Sequence, residues 1–245
     1  MANGRSGFQA AEAPACHLRR VTTTASRHPR GIRRRHLWST SLVPVASNDS
    51  QGRLFLLRHG ETEWSATGKH TGRTDIPLTD RGRELARAAG RMFAALRGDS
   101  PPPVRVLVSP RSRAQETAKL AGLTPDAVDE RLVEWDYGDY EGLTTPEIRR
   151  TDPGWTVWSH PTPGGESAEQ VGARADAVLA DVRSLRSEGD VVLVGHGHFS
   201  RVLMARWIGL PPAGGAHLAM DPAAWSVLGD ERSEPRLDHV NLRLP

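Results

Sequence analysis

Short apolar runs alternate along the chain with longer segments in which apolar residues recur at steps of three and four. Three runs, at 53–57, 104–108 and 191–194, are almost free of polar side chains. Runs of this length and character predict strands that are buried on both faces of a sheet. The segments between them have the spacing of amphipathic helices that cover such a sheet.

Capping residues mark where several of these helices begin. Thr79 is a suitable N-cap for a helix that ends near Leu96. The pattern Ser167-x-x-Gln170 is a capping box, and it begins the clearest helix, whose apolar stripe ends at Leu185. The other predicted elements are helices at about 111–121 and 197–208, a short helix near 146–151, a short strand and turn within 123–133, and weak strands near 216–220, 224–229 and 236–243.

The order of these elements, β-α-β-α, predicts an α/β fold. We expect residues 51–245 to form a three-layer α/β/α sandwich with a mostly parallel central sheet. Residues 1–50 lack apolar periodicity and are rich in Arg, Ser, Thr, Ala, Pro and Gly, so we predict a disordered basic extension. The sequence leaves open whether this extension is an organelle-targeting leader or has no function.

Charge and cysteine content narrow the classes of function. Residues 1–50 hold eight arginines against two acidic residues, and subtracting this +6 from the net charge of +3 leaves −3 for the rest. The domain therefore lacks the basic signature of nucleic-acid binding. Cys16 is the only cysteine, and no run of about 18 apolar residues occurs, so we expect no internal disulfide and no membrane span. These features favour a cytoplasmic protein without nucleic-acid or membrane partners.

Three predicted strands end in residues that suit phosphate chemistry, namely Arg58-His59, Arg111 and His196. Because the carboxyl ends of parallel strands meet at one edge of a sheet, we expect these side chains to form a cationic pocket. Guanidinium groups match the oxygens of a phosphoryl group, and a neutral imidazole can attack phosphorus. The acidic loop at 134–141 can supply a carboxylic acid that protonates the leaving oxygen.

These residues lie in motifs that resemble those of the histidine phosphatase superfamily, which includes the cofactor-dependent phosphoglycerate mutases. The likeness covers residues 53–243 and rests on Leu57-Arg58-His59-Gly60-Glu61-Thr62, Thr71-Gly72 through Thr79, Ser109-Pro110-Arg111, the loop from Glu134, Gly164-Gly165-Glu166-Ser167 and Gly195-His196-Gly197. Within the superfamily the chain looks most like a mycobacterial acid phosphatase. Its acidic loop is also similar to that of fungal sedoheptulose-1,7-bisphosphatase.

The resemblance implies a phosphatase that hydrolyses small phosphate monoesters without a metal ion or another cofactor. His59 would form a phosphohistidine, while Arg58, Arg111 and His196 would hold the phosphoryl oxygens. Glu134 would protonate the leaving oxygen and then activate water. The implied substrate-binding residues are Arg58, Thr62, Thr71, Gly72, Arg111, Tyr137, Gly197 and His198. A homodimer is one candidate for the oligomeric state.

The acidic loop also helps to distinguish a phosphatase, which releases the phosphoryl group to water, from a mutase, which returns it to the substrate. Mutases of this family carry cationic or histidine residues where this chain has Trp135, Asp136 and Thr145. They also carry an adjacent arginine pair, whereas this chain has no arginine between Thr151 and Val171. We therefore predict hydrolysis. A phosphoglycerate mutase and a sedoheptulose-1,7-bisphosphatase-type enzyme remain alternatives, and a non-catalytic phosphate-binding protein is least favoured.

Some assignments stay open at this point. Asp136, Asp139 and Glu141 compete with Glu134 as the proton donor. Three further histidines either line the pocket or serve the structure: His70, His160 and His198. Catalysis needs a neutral nucleophilic imidazole together with a protonated carboxylic acid, and nearby arginines and burial would reconcile the two. We therefore predict a bell-shaped pH profile with a mildly acidic optimum.

Overall fold

The fold is built on a mixed six-stranded sheet, seen in a computed structural model that describes residues 51–244. The basic extension predicted at 1–50 lies outside the described residues. The spatial order of the strands is β3-β2-β4-β1-β5-β6. The strands are β1 (Leu54–Arg58), β2 (Arg105–Val108), β3 (Ala127–Val128), β4 (Val191–Gly195), β5 (Trp225–Glu231) and β6 (Glu234–Leu242).

Four neighbouring strands of this sheet are parallel. β1 pairs with β4 from Leu54 opposite Val191 to Arg58 opposite Gly195, so the two strands end at the same level. β2 pairs in parallel with both β4 and β3, while β5 and β6 are antiparallel. The predicted α/β/α architecture with a mostly parallel sheet is confirmed. The shared level of the strand ends is what allows their side chains to meet.

Helices cover both faces of the sheet. The helices are α1 (Glu63–Ala66), α2 (Asp80–Arg97), α3 (Ser112–Leu120), α4 (Thr145–Ile148), α5 (Ala168–Leu185) and α6 (Gly197–Trp207). α2 and α3 share one apolar core with Phe55 and Leu57 of β1, while α5 and α6 share the other with Leu54 and Leu56. Alternate β1 side chains therefore enter opposite cores, as expected for a strand that is buried on both faces.

Local sequence signals located most element boundaries correctly. Thr79 caps α2 by accepting a hydrogen bond from the Gly82 N–H, and Ser167 with Gln170 forms the predicted capping box of α5. The prediction of a strand near 216–220 is wrong, because residues Pro212–His217 form a 3-10 helix that overlaps this segment. Pro211 is the N-cap of this helix and Pro212 its first residue, a position where the missing N–H leaves no helical hydrogen bond unmade.

Among residues 51–244, no helix combines the length and apolar character that crossing a membrane requires.

Candidate active site

A cavity of about 270 Å³ opens at the edge of the sheet where β1 and β4 end. Arg58 ends β1 and His59 follows it, and both side chains line the cavity. The cavity is also lined by Gly197 and His198 in the first turn of α6. Glu134 reaches the same cavity from the loop before the short 3-10 helix at 138–140. Of the residues predicted to converge here, Arg58 and His59 line the cavity, whereas Arg111 and His196 do not.

The His59 side chain is oriented by its own backbone neighbour. Its Nδ1 lies 2.7 Å from the carbonyl oxygen of Gly60, so Nδ1 carries the proton and donates it to that oxygen. This leaves Nε2 as the nitrogen with a free lone pair. Burial, followed by the positive charges of Arg58 and Arg113, holds the pKa of His59 well below its usual range. The His59 ring is therefore neutral at ordinary pH, and its Nε2 lone pair has the chemistry of a nucleophile.

The second histidine, His196, lies beside the first, with ring centroids 5.2 Å apart. Its Nε2 is 2.7 Å from the Ser109 hydroxyl, which also accepts a long hydrogen bond from the Arg111 N–H. Either the Ser109 hydroxyl or the His196 ring can donate in this hydrogen bond. The buried Nδ1 of His196 has no partner within residues 51–244, so it is free to form a further hydrogen bond.

Arg58 is positioned over the beginning of α6. Its Nη1 donates to the carbonyl oxygen of Met220 at 2.7 Å, while its buried Nε has no partner among the described residues. A Cβ atom on Gly197 would lie 3.1 Å from the Arg58 Cζ. The predicted binding residue Gly197 therefore provides the space that lets a guanidinium lie against a helix N-terminus. This placement puts a cation and the N-terminal dipole of α6 at one end of the cavity.

Arg113 is the site residue that the sequence analysis missed. Its guanidinium is completely buried and donates to the backbone carbonyls of Thr71, Gly72 and Thr74. Its charge lowers the pKa of both His59 and His196. The predicted Arg111 is the N-cap residue of α3 and also acts on His196, more weakly than Arg113, and neither arginine lines the cavity. The sequence shows this second arginine two residues after Arg111, but it does not show which of the two faces inward.

Substitution of the two arginines distinguishes their roles. We expect Arg113→Met to lower kcat/KM by about 10²–10³-fold, the loss typical of one preorganised charge-stabilising group. Arg111→Met should cost less, because its effect on the histidines is smaller. Both variants are compared by steady-state kinetics, with thermal unfolding as a control because Arg113→Met leaves three carbonyls unpaired. A larger loss for Arg111→Met than for Arg113→Met would contradict the assignment.

The Glu134 carboxylate is held by backbone amides. Oε1 accepts from the N–H groups of Trp135 at 2.9 Å and Phe199 at 2.8 Å, and Oε2 accepts from the His198 N–H at 2.9 Å. The side chain is 7% exposed and therefore retains contact with the cavity. An acidic group at the N-terminus of α6 is electrostatically favourable. The arrangement holds a carboxyl group beside the nucleophile in a defined orientation.

Two of the other three carboxylates of the acidic loop have structural partners instead. Asp136 forms an ion pair with Arg73. Glu141 accepts hydrogen bonds from the N–H groups of Gly72 and Thr74. None of Asp136, Asp139 and Glu141 lines the cavity. Among the four candidate proton donors, only Glu134 is placed next to His59.

Two predicted binding residues have structural roles. Thr62 is the N-cap of α1, and its hydroxyl accepts a hydrogen bond from the Ser65 N–H. The N–H of Gly72 is taken by Glu141, and a Cβ atom there would lie 2.5 Å from the Trp135 carbonyl oxygen. Neither residue lines the cavity, whereas Thr71 does. The loop that carries Thr71 is thus held on its amide side by Glu141 and on its carbonyl side by Arg113.

Aromatic and hydroxyl groups form a further part of the cavity wall. Tyr137 donates to or accepts from His198 Nδ1 at 2.6 Å, and the His70 ring lies 4.7 Å from the Tyr137 ring. Burial lowers the pKa of His70 to about 4 and that of His198 well below its usual range. His70 Nε2 lies 3.3 Å from the Thr145 hydroxyl. His160 is half-buried beside Ser159 and does not line the cavity.

Comparisons with known proteins agree with this geometry. The model of the histidine phosphatase superfamily (branch 1) matches residues 54–243. An acid phosphatase of Mycobacterium tuberculosis is 50% identical over 190 residues, which cover 78% of this chain and 92% of that protein. The sedoheptulose 1,7-bisphosphatase of Saccharomyces cerevisiae is 36% identical over 64% of this chain and 68% of its own length.

Solved structures give the same picture. A structure of a Mycobacterium tuberculosis open reading frame superposes with a TM-score of 0.75 at 49% identity, covering 78% of this chain and 98% of that one. A mycobacterial glucosyl-3-phosphoglycerate phosphatase, solved with VO3, superposes with a TM-score of 0.67 at 32% identity. The match covers 78% of this chain and 98% of that one.

Proposed function

This chain belongs to the histidine phosphatase superfamily and is a phosphatase, and we propose that it hydrolyses small phosphate monoesters through a phosphohistidine at His59, without a metal ion. The observation that carries the proposal is the hydrogen bond from His59 Nδ1 to the Gly60 carbonyl oxygen. This bond leaves Nε2 as a free lone pair in a cavity that also holds Arg58 and Glu134.

The reaction takes place in two steps at one site. First, His59 Nε2 forms a bond to phosphorus while the bond from phosphorus to the ester oxygen breaks. Glu134 gives its proton to the leaving oxygen, and Arg58, Arg113 and His196 stabilise the charge on the phosphoryl oxygens. In the second step Glu134 takes a proton from water, whose oxygen attacks phosphorus and releases His59 with inorganic phosphate.

Three side chains support hydrolysis over mutase activity. Trp135 is buried in the core, Asp136 is engaged with Arg73, and Thr145 lines the cavity with a neutral hydroxyl. None of them supplies the cation found at the matching positions of mutases, so the dephosphorylated intermediate is expected to leave. A coupled assay for interconversion of 3- and 2-phosphoglycerate tests this preference. Substantial turnover there would favour the mutase.

The metal-independent mechanism is tested with a chromogenic phosphate monoester in the presence of EDTA. We expect the rate to be the same with and without the chelator, because the arginines and His196 provide the positive charge that a metal would otherwise supply. Addition of Mg²⁺ or Zn²⁺ after dialysis against EDTA should not raise the rate. A loss of activity that returns with one of these ions would overturn the proposed mechanism.

The pH profile of kcat/KM is a further expected result. On the acid side, the rate should fall only when the pH reaches the lowered pKa of His59, well below 6.5, since a protonated imidazole has no lone pair. On the alkaline side, the rate should fall as the acid that protonates the leaving group loses its proton. The resulting bell has a mildly acidic optimum. A rate that rises continuously to about pH 9 would contradict this assignment.

A further inference from the structure

The wall of the cavity contains two cations that the phosphoryl group does not need. Lys69 and Arg201 line the same cavity as His59, together with the neutral groups of His70, Thr145 and His198. We call these five residues the distal wall. We propose that the natural substrate carries a second anionic group, a carboxylate or another phosphate, and that Lys69 and Arg201 bind it. This inference rests on the proposed phosphatase function and names its substrate class.

The phosphoryl end of the cavity is already supplied with positive charge. Arg58 and Arg113 are the charges that act on His59, and Lys69 and Arg201 have no such effect on it. Arg201 instead acts on His198, whose pKa is lowered chiefly by burial and then by this arginine. The cavity therefore contains two cations besides those that act on His59.

The guanidinium of Arg201 is fixed in one orientation. Its Nε donates to the Gly215 carbonyl oxygen at 2.8 Å, its Nη2 donates to the Ala216 carbonyl oxygen at 3.1 Å, and its Cζ lies 4.5 Å from the centre of the Trp158 ring. Within residues 51–244 it forms no ion pair. A half-buried cation without a counter-ion is costly, and a bound anion removes that cost.

Lys69 is similarly without an acidic partner in the part of the chain that the structure describes. Its Nζ lies 5.5 Å from the centre of the Trp64 ring. Glu147 is the carboxylate whose pKa it influences, but Glu147 accepts hydrogen bonds from the N–H and hydroxyl of Thr144 and is paired with Arg150. The Lys69 ammonium group therefore remains available at the cavity.

The neutral members of the distal wall limit what else can bind there. Because burial lowers the pKa of His70 to about 4, its ring adds no charge near neutral pH. The Thr145 hydroxyl and the two imidazoles can form hydrogen bonds with hydroxyl groups of a substrate. A volume of about 270 Å³ holds a small molecule. The matching substrate class is a small phosphorylated acid or a small bisphosphate, with hydroxyl groups between its two anionic ends.

Matched substrate pairs test the inference. 3-Phosphoglycerate and glycerol 3-phosphate differ by a carboxylate, and fructose 1,6-bisphosphate and fructose 6-phosphate differ by a second phosphate. In the full-length protein we expect kcat/KM for the more anionic member of at least one pair to be about tenfold higher, as one charge-assisted hydrogen bond allows. The pair that shows the larger ratio identifies the anionic group as carboxylate or phosphate.

Variants of Lys69 and Arg201 then test whether these residues cause the difference in kcat/KM within a substrate pair. Lys69→Met should lower the ratio of kcat/KM within the favoured pair by about tenfold. Lys119→Met removes the only other lysine of the chain, which lies exposed on α3 outside the cavity, and should leave the ratio unchanged. Arg201→Gln should lower the ratio as well. Thermal unfolding is measured for each variant, and the Lys69 comparison decides if Arg201→Gln does not fold.

Two results would overturn the inference. One is a wild-type ratio near one for both pairs, including the case in which only a chromogenic ester is hydrolysed. The other is an equal loss for both members of a pair in Lys69→Met. In either case the phosphatase proposal stands. The absence of hydrolysis of every phosphate ester would instead overturn the proposed function itself.

Discussion

Replacing His59 with alanine is expected to lower kcat by about 10⁴-fold or more, the scale seen when a covalent nucleophile is removed. The reason is geometric, because the imidazole that would form the bond to phosphorus is the one whose Nδ1 is held by the Gly60 carbonyl oxygen. Rapid quenching of the wild-type reaction at alkaline pH, followed by mass spectrometry, should show one added phosphoryl group on the peptide that contains His59. The same peptide of His59→Ala should lack it.

A matched histidine variant controls for the loss of an imidazole. His160 is half-buried, lies outside the cavity and is absent from the reaction proposed here, so His160→Ala should keep wild-type activity. Thermal unfolding and circular dichroism confirm that both variants fold. Wild-type turnover in His59→Ala, or a phosphoryl group trapped on another residue, would show that the nucleophile has been misassigned.

The second large effect is expected for Glu134→Gln. Removing a positioned general acid typically costs about 10²–10⁴-fold, so kcat should fall within that range for alkyl phosphates, whose leaving oxygen needs a proton. The loss should be smaller for an aryl phosphate, because its leaving oxygen is a weaker base. The alkaline limb of the pH profile should also disappear, since glutamine does not titrate. Steady-state kinetics with one alkyl and one aryl ester measure all three effects.

Glu188→Gln provides the control for this experiment, because Glu188 is exposed at the end of the α5 segment and lines no part of the cavity. Asp136→Asn and Glu141→Gln address the alternatives that the sequence left open. Asp136 pairs with Arg73 and Glu141 holds the Gly72 and Thr74 amides, so these variants should keep the alkaline limb. An alkaline limb that vanishes in one of them but persists in Glu134→Gln would move the proton donor to that residue.

Much of the fold was accessible from the sequence, for identifiable reasons. The strands buried on both faces have no polar side chains to interrupt them, and α2 and α5 begin at capping residues that act within one turn. The weakest prediction concerned 216–220, where the 3-10 helix that starts at Pro212 extends to His217 and residues 218–220 form no strand. Short segments of this kind depend on contacts with neighbouring elements, which a local pattern does not contain.

The site was predicted unevenly, and the difference follows from where each residue lies. His59 and His196 directly follow buried strands, so the topology of a parallel sheet was sufficient to bring them together. The choice between Arg111 and Arg113 depends on which face of α3 turns inward, and two residues of a helix differ in direction by more than half a turn. The inward face carries Arg113, which contacts the loop at 71–74.

The sequence by itself determined the alternation of strands and helices and the two histidines with Arg58 at the strand ends. These features depend on hydrophobic burial and on backbone geometry, which act over a few residues. The tertiary structure decided that Arg113 is buried beside the histidines, that Glu134 is the carboxyl group in the cavity, and that Lys69 and Arg201 share its wall. Those outcomes arise from contacts between loops and helices distant along the chain, whose packing no local pattern specifies.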